Sequence, residues 1–341
     1  MLSFLETLLY AALVLMVLAL IIDLVVVTSQ NRAPRRRVAA APAKAAAPEV
    51  ASALEPQATA HRAGVSTVAT AVVERTVDEL AELDDEAEEP VRRPAVPAAK
   101  PAVPRAPLNI GTLSTGFTVV ACVLLTGYII GRTIVTGRSP LTNMHEYGVA
   151  FVWAIVLASL VAFWRFRVRV LSVVALAVGA IMLAYALSVG NDVQPLVPAL
   201  QNSSLLTLHV GFAILGSGAA CVSFAGAVLY LAYPTLHLKI ARDQFDDMGY
   251  KAAIVSYPPW TLMLLFGALW ANVAWGKYWS WDPKETAALV TWLIYTAFLH
   301  ARVVRGWRGT RSSWLLVIAF VAVLFTLFGN YFFGGLHSYA S

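Results

Sequence analysis

Six histidines, ten tryptophans and two cysteines are the residues of this 341-residue chain best able to hold a metal ion or a flat aromatic ligand. Neutral imidazole is the commonest protein metal ligand, and indole presents a broad polarisable face. Six of the ten tryptophans fall between Trp260 and Trp292, and Trp275, Tyr278, Trp279 and Trp281 crowd into seven residues. An aromatic belt at a membrane surface is the plain explanation for Trp and Tyr near helix ends. Belts, however, place one or two rings at each end, whereas this cluster suits a flat, greasy, polarisable molecule such as a porphyrin. The cations Lys277 and Lys284 stand where they could meet carboxylate substituents of such a ligand. Asp282 followed by Pro283 reads as a helix N-cap with proline at the first helical position. The two thiols, Cys122 and Cys221, lie far apart inside apolar runs with no basic neighbour, so they read as small hydrophobes and not as nucleophiles.

The elements that must position these residues are membrane helices. The chain is 59% hydrophobic and only 13% charged, with a mean hydropathy of +0.68; soluble domains carry about 25% charged residues. The net charge of +5 also points to the membrane, not to nucleic acid. Residues 28–108 contain eleven Lys/Arg and eleven Asp/Glu, so the whole excess lies beside the apolar runs. The first run, about Leu5 to Val27, lacks a basic start and a small-residue cleavage site. It is followed by Arg32, Arg35, Arg36 and Arg37, the pattern of an uncleaved anchor with its N-terminus outside. Residues 28–108 are rich in Ala, Pro and charge, with an acidic cluster from Asp78 to Glu89. They predict a disordered cytoplasmic linker, too polar to offset its own ordering entropy; the weak periodicity of 66–89 is not enough to expect a helix.

Further spans are predicted near 112–131, 147–164, 168–188, 206–232, 257–273, 285–304 and 313–333. The expected fold is therefore an all-α polytopic membrane protein of about eight helices: an anchor (1–27), a linker (28–108) and a seven-helix domain (109–341). With the linker in the cytoplasm, the inner loops receive Arg165, Arg167, Arg169, Lys239, Arg242, Lys251, Arg302, Arg305, Arg308 and Arg311. The outer loops receive only Arg132, Arg138, Lys277 and Lys284, as the positive-inside rule requires. This topology puts His145, His209 and His337 outside, His300 at the inner end of the seventh span, and His61 and His237 in cytoplasmic segments.

The segment Trp275-Gly-Lys-Tyr-Trp-Ser-Trp-Asp-Pro-Lys-Glu-Thr286 resembles the tryptophan-rich signature of the haem-handling membrane proteins. Its form is most similar to that of the CcsA/ResC type of cytochrome c biogenesis protein, part of the System II cytochrome c synthase. The resemblance runs over roughly residues 112–341. It takes in Pro195-Leu-Val-Pro-Ala-Leu-Gln201 before His209, and Leu299-His300-Ala-Arg302 after the signature. His145, in Asn143-Met-His-Glu-Tyr147, stands where an aromatic is expected, and no family role carries over to it.

The resemblance implies that His209 and His337 are axial ligands of the iron of haem b at the outer face. The Trp275, Tyr278, Trp279, Trp281, Asp282, Lys277 and Lys284 side chains would surround that haem. It implies too that His300 lies on the haem route from the cytoplasm. A helix starting near Lys284 carries His300 roughly 24 Å inward, so it would serve a second position and not the outer pair. The implied reaction is thioether attachment of haem to a Cys-x-x-Cys-His apocytochrome c, within a haem lyase complex of the bacterial plasma membrane that includes a CcsB/ResB-type subunit. Both termini would lie outside. Two other readings stay open: an exporter or chaperone that hands haem on without ligating it, and a transporter of an unrelated solute with a structural aromatic loop.

Overall fold

The computed structural model describes residues 1–32, 110–193, 195–201, 203–236, 238–329 and 332–338. The expected linker, with His61 and the segment 66–89, lies outside the described residues, as does His237. Eight long helices make up the described chain: α1 (Leu2–Arg32), α2 (Ile110–Thr136), α3 (Met144–Phe166), α4 (Arg169–Ser188), α5 (Ser203–Leu236), α6 (Arg242–Trp275), α7 (Pro283–Val304) and α8 (Thr310–Phe328). A short 3-10 turn, Pro198–Leu200, precedes α5. All eight are long and apolar enough to cross a membrane, and the described residues contain no strand. This is the architecture that lipid permits, because a helix satisfies its own backbone hydrogen bonds.

Packing follows the spacing of small and apolar side chains. On α1, Leu5, Leu9, Ala12, Met16, Ala19 and Asp23 are buried, and on α2 the matching face is Ser114, Thr118, Ala121, Leu125, Tyr128 and Arg132. Steps of three and four residues keep each set on one stripe, so the two helices meet along their length. The central element is α5, which packs on α3, α6 and α8. Polar groups join it to α6: Ser223 Oγ donates to the Gly249 carbonyl at 2.9 Å, and Ser256 Oγ to the Gly216 carbonyl at 2.7 Å. Such bonds between helices compensate polar atoms that lipid cannot solvate.

Three features depart from the expectations drawn from the sequence. The sixth span was expected at 257–273, but α6 begins at Arg242. Its first four turns are polar and escape a hydropathy window, yet Phe245 and Asp246 there are buried. The last span was expected to reach 333, but α8 ends at Phe328 and the chain turns back beneath α7. Arg132, assigned above to an outer loop, is instead buried within α2, where its Nε meets Glu146 Oε1 at 2.9 Å. It also donates to the Asn191 carbonyl at 2.6 Å.

Candidate functional site

One end of the bundle holds a cavity open to solvent, with about 1090 Å³ of empty space in and in front of it, open solvent included. Five helices (α3, α5, α6, α7 and α8) and the chain after α8 help build it. From α5 comes His209, from α6 Trp260, Met263, Gly267 and Trp270, from α7 Lys284, and from the C-terminal segment His337. Trp275 and Trp279 close the loop side, and Tyr147 of α3 faces Lys284 across it, with the ammonium 6.0 Å from the ring centroid.

The two histidines are oriented alike. His209 Nδ1–H donates to the Met263 carbonyl at 2.8 Å, and His337 Nδ1–H donates to Asp282 Oδ2 at 2.7 Å. Each acceptor fixes the tautomer whose lone pair sits on Nε2, one of the two forms in which a neutral imidazole can bind a metal. Trp270 ties the two together: its ring lies 6.1 Å from that of His209, nearly parallel at 7°, and 5.8 Å from that of His337. Trp275 packs edge-on against both Trp270 and His337, at 4.7 and 4.9 Å. Burial pushes the His337 imidazole below its ordinary pKa; the Asp282 hydrogen bond opposes this and the Lys284 charge reinforces it. His337 is thus neutral near pH 7.

Local sequence explains why these groups converge. Trp260, Met263, Gly267 and Trp270 follow one another at three- and four-residue steps, so they share one face of α6. Any side chain at Gly267 would place its Cβ 2.7 Å from His209 Nδ1 and Cε1, so only glycine leaves room for that ring. Asp282 caps α7 in a full capping box with Glu285, and Pro283 is the first helical residue. Its carboxylate is buried and accepts from the Lys284 amide at 3.1 Å, the Leu336 amide at 2.5 Å and His337. Burial works against its ionisation, but the His337 bond and the two amides hold the carboxyl below the ordinary aspartate range. Gly335 lets the C-terminal segment lie directly on Asp282, because a Cβ there would overlap the carboxylate.

Of the residues singled out in the sequence, His209, His337, Trp275, Tyr278, Trp279 and Lys284 line the cavity. Asp282 stands behind His337 and does not line it. Lys277 is exposed on the loop. Trp281 is 69% exposed, with its backbone at φ 60°, and touches Trp279 edge-on at 5.7 Å. His300 is exposed near the far end of α7, away from this cavity. His145 is buried in the core, bonded to Tyr128 Oη at 2.9 Å and to the Ala186 carbonyl at 2.7 Å. Cys221 is fully buried in α5, and neither cysteine lines the cavity.

Sequence reading passed over Trp270, Trp260, Gly267 and Tyr147; the helical step from Trp260 to Trp270 was the available signal. The buried Nε1 atoms of Trp260 and Trp279 have no hydrogen-bond acceptor among the described residues. The cavity can therefore hold a broad apolar molecule beside two imidazoles, with an ammonium for an acidic substituent and two indole N–H groups without an acceptor among the described residues.

Residues 141–337 match the family model described as "Cytochrome C assembly protein". Among curated relatives, the "Cytochrome c biogenesis protein CcsA" of Guillardia theta is 31% identical over 261 residues, covering 68% of this chain and 86% of that protein. The protein of the same name from Gloeobacter violaceus is 30% identical over 302 residues, covering 69% and 88%. That from Microcystis aeruginosa is 32% identical over 298 residues, covering 70% and 90%.

Proposed function

The chain belongs to the cytochrome c assembly protein family, and we propose that it binds haem b in the cavity between His209 and His337 and presents it for covalent attachment to apocytochrome c. One observation carries this reading. Two imidazoles from distant parts of the chain meet in one aromatic cavity, each with Nδ1 tied to an acceptor and its lone pair on Nε2. Low-spin haem iron takes two such ligands. Trp270, Trp275 and Trp279 supply flat walls, and Lys284 is placed to meet a propionate.

Haem is the substrate, and its vinyl groups are the reacting centres. Each thioether forms when the S–H of an apocytochrome cysteine adds across one vinyl double bond, the sulfur bonding to one carbon and a proton going to the other. The nucleophiles come from the Cys-x-x-Cys-His segment, in keeping with two thiols here that lie away from the cavity. The chain's contribution is then orientation and exclusion of water, which can supply much of a rate enhancement. His337 is suited to yield to the incoming histidine. It sits on a short segment past the last helix, whereas His209 is locked within α5 by Met263 and Gly267.

The cavity is assigned to the outer face of the plasma membrane and the opposite end of the bundle to the cytoplasm, with both termini outside. The asymmetry of Lys and Arg supports this orientation. A CcsB/ResB-type subunit completes the synthase, and His300 serves haem on its way from the cytoplasm. The test is spectroscopic: purified chain is expected to show a bis-imidazole haem spectrum. His209→Gly or His337→Gly removes that spectrum and cytochrome c maturation, and added imidazole restores part of both. A colourless wild-type preparation, or variants present at normal levels that imidazole cannot rescue, would refute axial ligation.

A further inference from the structure

The end of the bundle opposite the haem cavity carries a second, open pocket, with about 540 Å³ of empty space counting open solvent, where three helix junctions meet. The end of α1 provides Val27 and Gln30, the α3–α4 turn provides Arg167, Val168, Arg169 and Val170, and the α5–α6 turn provides Leu238, Lys239 and Ile240. Among the described residues no carboxylate lines it. The Arg169 guanidinium is fixed at its inner wall, bonded to Asp23 Oδ1 at 3.3 Å and Thr115 Oγ1 at 3.2 Å, and stacked 4.6 Å from the Phe163 ring. Arg167 and Lys239 stand exposed at the rim. Arg167 caps α3 in the left-handed conformation, φ 58°, which turns the chain sharply and sets this side chain apart from the helix.

We propose that this pocket binds the phosphate headgroup of an anionic phospholipid. Three cations from two separate turns line one pocket, Arg169 paired with Asp23 and Arg167 and Lys239 exposed at the rim, the chemistry that recognises a phosphate. Five of the nine lining residues are aliphatic (Val27, Val168, Val170, Leu238 and Ile240), which suits the glycerol and upper acyl carbons of a lipid and not a free ion. The pocket also sits at the ends of membrane-spanning helices, the depth of the headgroup layer. The bound lipid would brace α1 against the α3–α4 and α5–α6 turns. This site is independent of the haem reading.

The experiment uses the full chain purified in micelles holding equal amounts of phosphatidylglycerol and phosphatidylcholine, with retained lipid measured by mass spectrometry after gel filtration. Wild-type protein is expected to retain phosphatidylglycerol in preference to phosphatidylcholine. Arg167→Gly with Lys239→Gln, in which glycine accepts the left-handed backbone, lowers that retention by about tenfold or more. Lys239→Glu alone, a change at an exposed residue, lowers it in the same direction and guards against a fold defect in the double variant. Excess inorganic phosphate is expected to leave the lipid in place. Equal retention of the two lipids, undiminished retention in both variants, or displacement by inorganic phosphate would each overturn the assignment.

Discussion

Asp282 shows how much one side chain does at this site. Its backbone and carboxylate start α7, its Oδ1 takes the Leu336 amide, and its Oδ2 takes the His337 imidazole. The same group therefore begins a helix, pins the C-terminal segment and fixes the tautomer of His337. Asp282→Asn separates these roles, because asparagine caps helices about as well as aspartate. We expect α7 to keep its start while haem affinity falls ~10–100-fold, the range for losing a hydrogen-bond partner behind a metal ligand. Titration of haem into the apoprotein measures this, and unchanged affinity would show that Asp282 serves only the helix. The Asp-Pro cap was legible in the sequence. Its hold on His337 was not, because the two residues are 55 positions apart and no local pattern links them.

At the scale of the element, α6 is the organising helix. Its C-terminal half presents Trp260, Met263, Gly267 and Trp270 to the cavity, while its polar start is locked to α7. Arg302 of α7 donates to Asp246 Oδ2 at 2.6 Å and to the Trp307 carbonyl at 3.0 Å, and lies 4.8 Å from the Tyr250 ring centroid. Asp246 Oδ1 in turn accepts from the Gly309 amide, ahead of α8. Three helices thus meet at one buried ion pair. Removing one partner strands the other charge, so Arg302→Met is expected to cost about 3–5 kcal/mol. Asp246→Leu with Arg302→Met recovers most of it, because an apolar replacement of both partners removes the stranded charge. Thermal unfolding of the detergent-solubilised chain checks this, and a single variant as stable as wild type would show that the pair contributes nothing. Hydropathy missed the start of α6 because these turns are charged, and their burial arises only when α7 and α8 close over them.

For the whole molecule, eight helices divide the charged and aromatic chemistry between two ends. One end has the cavity with His209 and His337, and the other has the basic turns, Arg302 and His300. Topology is testable with single cysteines placed in a background lacking Cys122 and Cys221. Lys277→Cys and Phe333→Cys, both at exposed positions, are expected to react with an impermeant maleimide applied to intact cells. Lys239→Cys and Arg305→Cys should react only after permeabilisation. Labelling of 277 and 333 from opposite sides would defeat the shared haem site, and labelling of both from the cytoplasm alone would reverse the orientation.

The number of spans, their approximate positions and the crowding of indoles around residue 275 were fixed by composition and order along the chain. Those properties are local: a run of apolar residues must find lipid or protein wherever it lies, and a motif of twelve residues is visible without folding. Which of the described histidines share the cavity was decided by tertiary structure. His145 has the same chemistry as His209 and lies near the same end of the bundle, yet Tyr128 and Ala186 occupy both its ring nitrogens. His209 and His337 instead line one cavity across 128 positions, because α5, α6 and the returning C-terminal segment bring both rings to about 6 Å from that of Trp270. Imidazole becomes a ligand through what its other nitrogen touches, and that contact exists only after the helices have packed.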